Sequence, residues 1–105
     1  MRPRKAETPE PGAGRATLVV MRQYIAAGAP NSVKALANLE AICRQHLLEG
    51  FNLEIIDVLE FPLRALADGI LVTPSLSKIA PSPGTTIVGD LSDRSKVLRA
   101  LGIKE

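Results

Sequence analysis

Residues 17–59, TLVVMRQYIAAGAPNSVKALANLEAICRQHLLEGFNLEIIDVL, decide the architecture. The first nine, 17–25, are rich in β-branched and apolar side chains, and the AAGAP segment at 26–30 ends the run. A largely buried strand, central in its sheet, has this composition. Pro30, Asn31 and Ser32 then supply a rigid turn and two good N-cap side chains. After them Val33, Leu36, Leu39, Cys43 and Leu47 recur at steps of three and four, which predicts an amphipathic helix. Ile42 falls beside the apolar stripe, Lys34, Glu40, Arg44 and Gln45 fall on other faces, and Gly50 closes the helix. Residues 53–59 mix alternation with continuous apolarity and read as a second strand. Two such strands joined by a long helix imply a right-handed parallel crossover.

Downstream, 62–67 predicts a short helix that starts at Pro62 and ends at Asp68-Gly69. Residues 70–79 and 85–88 read as two antiparallel strands around the turn Pro81-Ser82-Pro83-Gly84. Asp90 to Ser92 offers caps for a closing helix through Lys96, Val97, Leu98, Ala100 and Leu101, with Leu91 placed to staple its entry and Gly102 to stop it. The order is βαβαββα, and no internal repeat is visible. Upstream, residues 1–15 hold Pro, Gly, Ala and charge without a periodic apolar face, so they read as a flexible basic arm on a folded domain of 16–105.

Composition narrows the function. The chain has 105 residues, 46% hydrophobic and 23% charged, the size of one small domain. No run approaches the roughly 20 apolar residues of a membrane-spanning helix, and no apolar core follows the first basic residues as in a secretory signal. The expected compartment is the cytosol. Cys43 is the single cysteine and His46 the single histidine, so neither an intramolecular disulfide nor a structural zinc site is expected, and no cofactor is implied. The net charge of +2 sits in the arm: residues 1–15 carry four basic and two acidic groups, the rest nine of each. With Tyr24, Phe51 and Phe61 as the only aromatics, there is no basic, base-stacking surface for nucleic acid. Asp57 lies in a strand, and Asp90 and Asp93 fit a helix N-terminus, which makes capping a better reading than carboxylate chemistry. His46 falls where helix-end carbonyls can use it. Gly28 and Gly89 serve turns, because no lysine follows either in phosphate-loop spacing.

The βαβαββα order is the thioredoxin-like arrangement, and Thr73-Pro74 stands where that fold usually holds a cis-proline. Redox chemistry does not follow. Thiol–disulfide exchange needs a thiolate at an exposed helix N-terminus, and the loop 26–32, AAGAPNS, carries no thiol. Cys43 lies three turns further along the helix, where a small core residue is expected.

Further residues carry a family resemblance. Tyr24-Ile25-Ala26, Gly28, Pro30-Asn31-Ser32-Val33, Ala35-Leu36, Ile56-Asp57-Val58-Leu59, Thr73-Pro74, Lys78, Pro81, Pro83 and Ile87-Val88-Gly89-Asp90-Leu91-Ser92-Asp93-Arg94 together resemble the KaiB family of cyanobacterial clock proteins. The resemblance spans about residues 17–102. It implies a non-enzymatic adaptor that binds the ring-shaped ATPase KaiC, with KaiA or a SasA-like histidine kinase as further partners, and with Phe51, Asn52 and Lys78 near the docking edge. It also implies fold switching between a self-associating βαββααβ tetramer and the thioredoxin-like form, with Gly89, Asp90, Ala100 and Gly102 in the switching segment. A stand-alone thioredoxin-like redox or sensory module is the alternative.

The chain departs from the cyanobacterial pattern in three places. Thr85-Thr86 replaces an Arg pair, Glu54 replaces a basic residue early in the second strand, and Ala100 replaces a Gly. Losing basic groups alters partner choice, since charge complementarity governs on-rate and specificity. Ala instead of Gly inside a helix is worth roughly 0.8–1 kcal/mol, which tilts the balance toward the thioredoxin-like form. The empty 26–32 loop generates a first expected outcome: the protein shows no dithiothreitol-dependent insulin reduction, and Cys43→Ser leaves partner binding intact. Turnover that disappears in Cys43→Ser would overturn the adaptor reading.

Overall fold

The structure is a computed structural model that describes residues 4–5 and 18–103. In chain order it contains β1 (Arg4–Lys5), β2 (Val19–Ile25), α1 (Pro30–His46), β3 (Phe51–Asp57), α2 (Pro62–Ala67), β4 (Ser75–Ala80), β5 (Thr85–Val88) and α3 (Arg94–Leu101). The strands form one sheet in the order β1-β3-β2-β4-β5. As its apolar run predicts, β2 is central, parallel to β3 and antiparallel to β4. Apart from Arg4–Lys5, the arm lies outside the described residues.

One face of the sheet packs on α1 and α3. Met21, Leu53, Leu76 and Ile87 meet Leu39, Ile42, Cys43, Leu47, Val97, Leu98 and Leu101 in the larger core. On the opposite face Tyr24, Ile56, Ala65 and Ile70 form a small second core beneath α2. The two-residue period of a strand makes this division. Positions 21 and 53 turn to one side, and 24 and 56 to the other.

Helix α1 forms where expected, and Leu39, Cys43 and Leu47 of its expected apolar stripe are buried with Ile42 beside them, but its first turn faces the core through a different residue. Its buried side chains are Ser32, Ala35, Leu39, Ile42 and Cys43, whereas Val33 is 56% exposed. The difference lies at the N-terminus. The cap is Ala29, with Pro30 in the first turn and no side-chain cap, and the Ser32 hydroxyl instead accepts the amide of Ala26 at 3.0 Å. Position 32 lies on the same helical row as the buried Ala35, Leu39 and Ile42, and the bond to Ala26 satisfies its hydroxyl there. The helix also ends earlier than Gly50, at His46, with Leu47 as C-cap donating to Cys43 O at 3.1 Å.

Strand bounds move for similar reasons. β3 runs 51–57 rather than 53–59, because the Asp57 carboxylate accepts the amide of Leu59 at 3.0 Å and Asp57 O accepts those of Glu60 and Phe61. Residues 70–74 are not strand: the Ile70 amide bonds Ala65 O at 2.9 Å, tying Ile70 to the end of α2. Pro74, which has no N–H for a ladder, precedes β4. The Thr73–Pro74 peptide is cis, as are Ala80–Pro81 and Ser82–Pro83.

At α3 local chemistry and tertiary structure agree. Asp93 is the N-cap and accepts the Lys96 amide at 3.2 Å. Gly102 adopts φ +78, with its N–H bonded to Arg99 O and that of Ile103 to Leu98 O at 2.8 Å, a Schellman ending that needs a left-handed residue. Leu91 is buried at φ +64, and its burial in the larger core offsets a conformation that costs an L-residue roughly 1–2 kcal/mol.

The stripe on α1 sets an expected contrast. Leu39→Ala destabilises by about 2–5 kcal/mol, whereas Val33→Ala changes stability by about 0.5 kcal/mol or less. Chemical denaturation checks both, and equal losses would put Val33 in the core.

Candidate partner-binding surface

The second face of the sheet is only partly covered, because α2 has six residues and buries one side chain, Ala65. Its sequence PLRALA cannot hide the rest: one turn and a half presents a single residue squarely to the sheet. Of ten exposed large apolar side chains among the described residues, six fall within 59–72: Leu59, Phe61, Leu63, Leu66, Leu71 and Val72. Leu63 and Leu71 are 79% and 84% exposed. Concentrations of this kind mark interaction surfaces rather than the scattered apolar exposure of any protein.

Beneath and beside α2 lies a charged cluster. Arg64 donates to both oxygens of Glu54, each at 2.6 Å, a bidentate pair. Arg22 lies 3.6 Å from Glu54 and 3.7 Å from Asp68, and Arg64 Nε 3.9 Å from Asp68. The Tyr24 hydroxyl donates to Asp68 Oδ2 at 2.6 Å. Burial, followed by that bond to a carboxylate, pushes the Tyr24 phenol up from its ordinary value. The Arg64 hydrogen bonds hold Glu54 below the usual carboxylate range, with Arg22 adding to the effect. Glu54, a departure in the sequence, is thus neutralised by its own helix, and the cluster fixes α2 on the strands. Thr86 likewise finds a partner across the ladder, its hydroxyl 3.1 Å from that of Ser77.

Phe51, Asn52 and Lys78, singled out in the sequence, lie at one end of the sheet, away from α2. Phe51 begins β3 and packs on the larger core, and Asn52 stands opposite Val20. Ile56, beneath α2, lies five residues along the same strand, about 16 Å away. Lys78 does not reach an exposed edge. It lies in interior strand β4 opposite Met21 and is 6% exposed. There it lines a cleft of about 650 Å³ with His46, Leu47, Leu101 and Gly102, at the C-terminal ends of α1 and α3. The negative ends of two helix dipoles favour a cation in that position.

Gly89 and Asp90 are structural ties. The Gly89 amide bonds Pro74 O at 2.9 Å, and Asp90 O accepts Asn38 Nδ2 at 2.8 Å, joining the end of β5 to α1. Hydrogen bonds from the Ser92 side chain and amide lower the Asp90 pKa. Asp57 bonds the amides of Ala27 and Leu59. Ala100 is half-buried within α3. Among the described residues no group of three or more His, Cys, Asp or Glu is placed to hold a metal ion, and no helix is long and apolar enough to cross a membrane.

Comparison with known proteins assigns the family. The KaiB domain model matches residues 22–103. The chain belongs to the KaiB family. It is 49% identical over 84 residues to the circadian clock oscillator protein KaiB of Trichodesmium erythraeum, covering 80% of this chain and 81% of that one. In structure it resembles the N-terminal domain of Synechococcus elongatus SasA, with TM-score 0.68, 21% identity and 95% of both chains covered. It also resembles chloroplastic thioredoxin z, with TM-score 0.68, 18% identity, and 81% and 76% coverage. This member of the KaiB family of clock regulators therefore has the thioredoxin-like fold.

The Glu54–Arg64 pair carries a pH signature. A depressed carboxyl pKa contributes stability that is complete above its unfolded value, about 4.3, and lost as pH falls through the folded one. Both partners are about a third exposed or more, so the contribution is about 1 kcal/mol or less. Arg64→Ala is expected to raise the Glu54 midpoint, read by carboxyl NMR, and to reduce stability at neutral pH but not in acid. An unmoved midpoint would show that the pair does not form in solution.

Proposed function

We propose that this KaiB-family chain is a non-enzymatic adaptor that docks on a KaiC-type ATPase ring through α2 and its flanking segments and thereby modulates the ring's ATPase and phosphorylation cycle. The observation that carries the reading is the set of exposed leucines and Phe61 on a domain whose α1 N-terminus holds Ser32 where a redox enzyme needs a thiol. Apolar anchors on a rigid helix, ringed by a fixed charge cluster, suit a protein partner rather than a small molecule. The cytoplasm is the proposed site of action, because such a ring is a cytoplasmic machine.

The shared fold with the SasA N-terminal domain supports competition with a SasA-like histidine kinase for the same ring, and KaiA remains a candidate third component. In a fold switch of the kind the family resemblance implies, Gly89, Asp90, Ala100 and Gly102 would belong to the segment that repacks. Ala100, a good helix former in mid-α3, favours the thioredoxin-like packing.

The decisive experiment is titration with a KaiC-type ATPase ring. Leu63→Glu is expected to weaken binding at least about tenfold, while leaving thermal stability nearly unchanged because Leu63 is exposed. Leu48→Glu, equally exposed but at the C-terminal end of α1, is expected to leave binding unchanged. Identical affinities for wild type and Leu63→Glu would place the docking surface elsewhere.

A further inference from the structure

The outer edge of the sheet is closed by the chain itself. β3 pairs with β2 on one side, and on the other Arg4–Lys5 run antiparallel to it, Arg4 opposite Leu53 and Lys5 opposite Asn52. An uncovered edge strand displays unpaired N–H and C=O groups and is a template for any extended chain. β3 has few built-in defences: its sequence FNLEIID contains no proline, and its pairing with β2 is continuous over seven residues without a bulge. Beside this edge, between α1 and β3, a groove of about 270 Å³ is lined by Leu36, Ala37, Glu40, Cys43, Leu53 and Ile55. A free ladder next to an apolar groove is the combination that strand-adding peptides recognise, the ladder giving affinity and the groove accepting alternate side chains.

The position of the arm fits this edge. Lys5 stands opposite Asn52 and Val19 opposite Phe51, so both ends of the intervening link lie at the same end of the sheet. The twelve residues 6–17 can reach about 40 Å, far more than the return requires. The family match begins at residue 22, so Arg4–Lys5 lie outside the matched residues.

We propose that the segment around Arg4–Lys5 is an intramolecular edge strand that masks the outer edge of β3, so that any extended segment adding there must first displace it. A short tether gives such a segment an effective concentration on the order of millimolar. Two paired residues give a contact that opens far more easily than the core. The edge is therefore guarded against weak encounters and yields to a partner with a longer matching strand. This inference concerns β3 and stands apart from ring docking through α2.

Two measurements on the full-length chain test it. In the first, Arg4 and Lys5 are both replaced by proline, which removes whichever amide faces β3. Hydrogen exchange of the outward amides among residues 51–55 is expected to accelerate about tenfold or more, with Leu39 and Ile42 amides unchanged. Equal rates at residues 51–55 in the two proteins would overturn the proposal. In the second, Lys5→Cys and Asn52→Cys are combined with Cys43→Ser and oxidised in air. Directly opposed residues have Cα atoms about 4.5–5.5 Å apart, within disulfide range. A cross-linked monomer is expected. A cross-linked dimer, with the edge taken by a second copy, or no cross-link at all would overturn the assignment.

Discussion

The parallel register of β2 on β3 is the constraint on which the rest depends. Val19 faces Phe51 and Ile25 faces Asp57, with every pair between them in step. This register places Met21 beside Leu53 under α1 and α3, Tyr24 beside Ile56 under α2, and Arg22 beside Glu54 at the charged cluster. A slip of one residue would turn Leu53 to the α2 face and Glu54 into the larger core. Because side chains alternate with a period of two, the penalty falls on the whole strand at once. The register therefore specifies the core and the partner-facing surface together.

The redox version of this fold has been replaced by structure at each position. The loop before α1 is held by Ser32 and Asp57, which accept the amides of Ala26 and Ala27. Cys43 is buried among core residues on the third turn beyond. A thiol there cannot act as an exposed nucleophile. What remains exposed is apolar surface on and around α2.

The interior includes costs as well as gains. Gln23 is fully buried: its amide donates to Ser75 O at 3.0 Å, but Oε1 has no partner. An unsatisfied buried acceptor typically costs about 1–3 kcal/mol. Leu91 adds a left-handed backbone. These two costs fall on β2 and at the entry to α3, so the packing is less deeply stabilised than its apolar core alone would make it.

Element order and several endings were legible in the sequence, since they depend on neighbours along the chain. The richness of 17–25 in β-branched and apolar residues marked β2 as central, Asp93 capped α3, and Gly102 stopped it with the left-handed turn that only a glycine makes cheaply. Facing and pairing were not legible. Whether α1 buries position 32 or 33 depended on how the helix packs Ala35, Leu39 and Ile42 on the sheet, with the Ser32 hydroxyl satisfied by the Ala26 amide. Glu54 looked anomalous until Arg64, ten residues away, came into register with it. Lys78 carried no mark of burial, because only the arrangement of α1 and α3 over β4 encloses it. The six exposed side chains between Leu59 and Val72 had the composition of core and became surface because α2 turns only Ala65 inward and no further element covers Leu63, Leu66 or the segments that flank the helix. Local propensity and periodicity thus determined which segments are helix or strand. Register and the length of the covering helices, which are properties of the assembled sheet, decided what each face does.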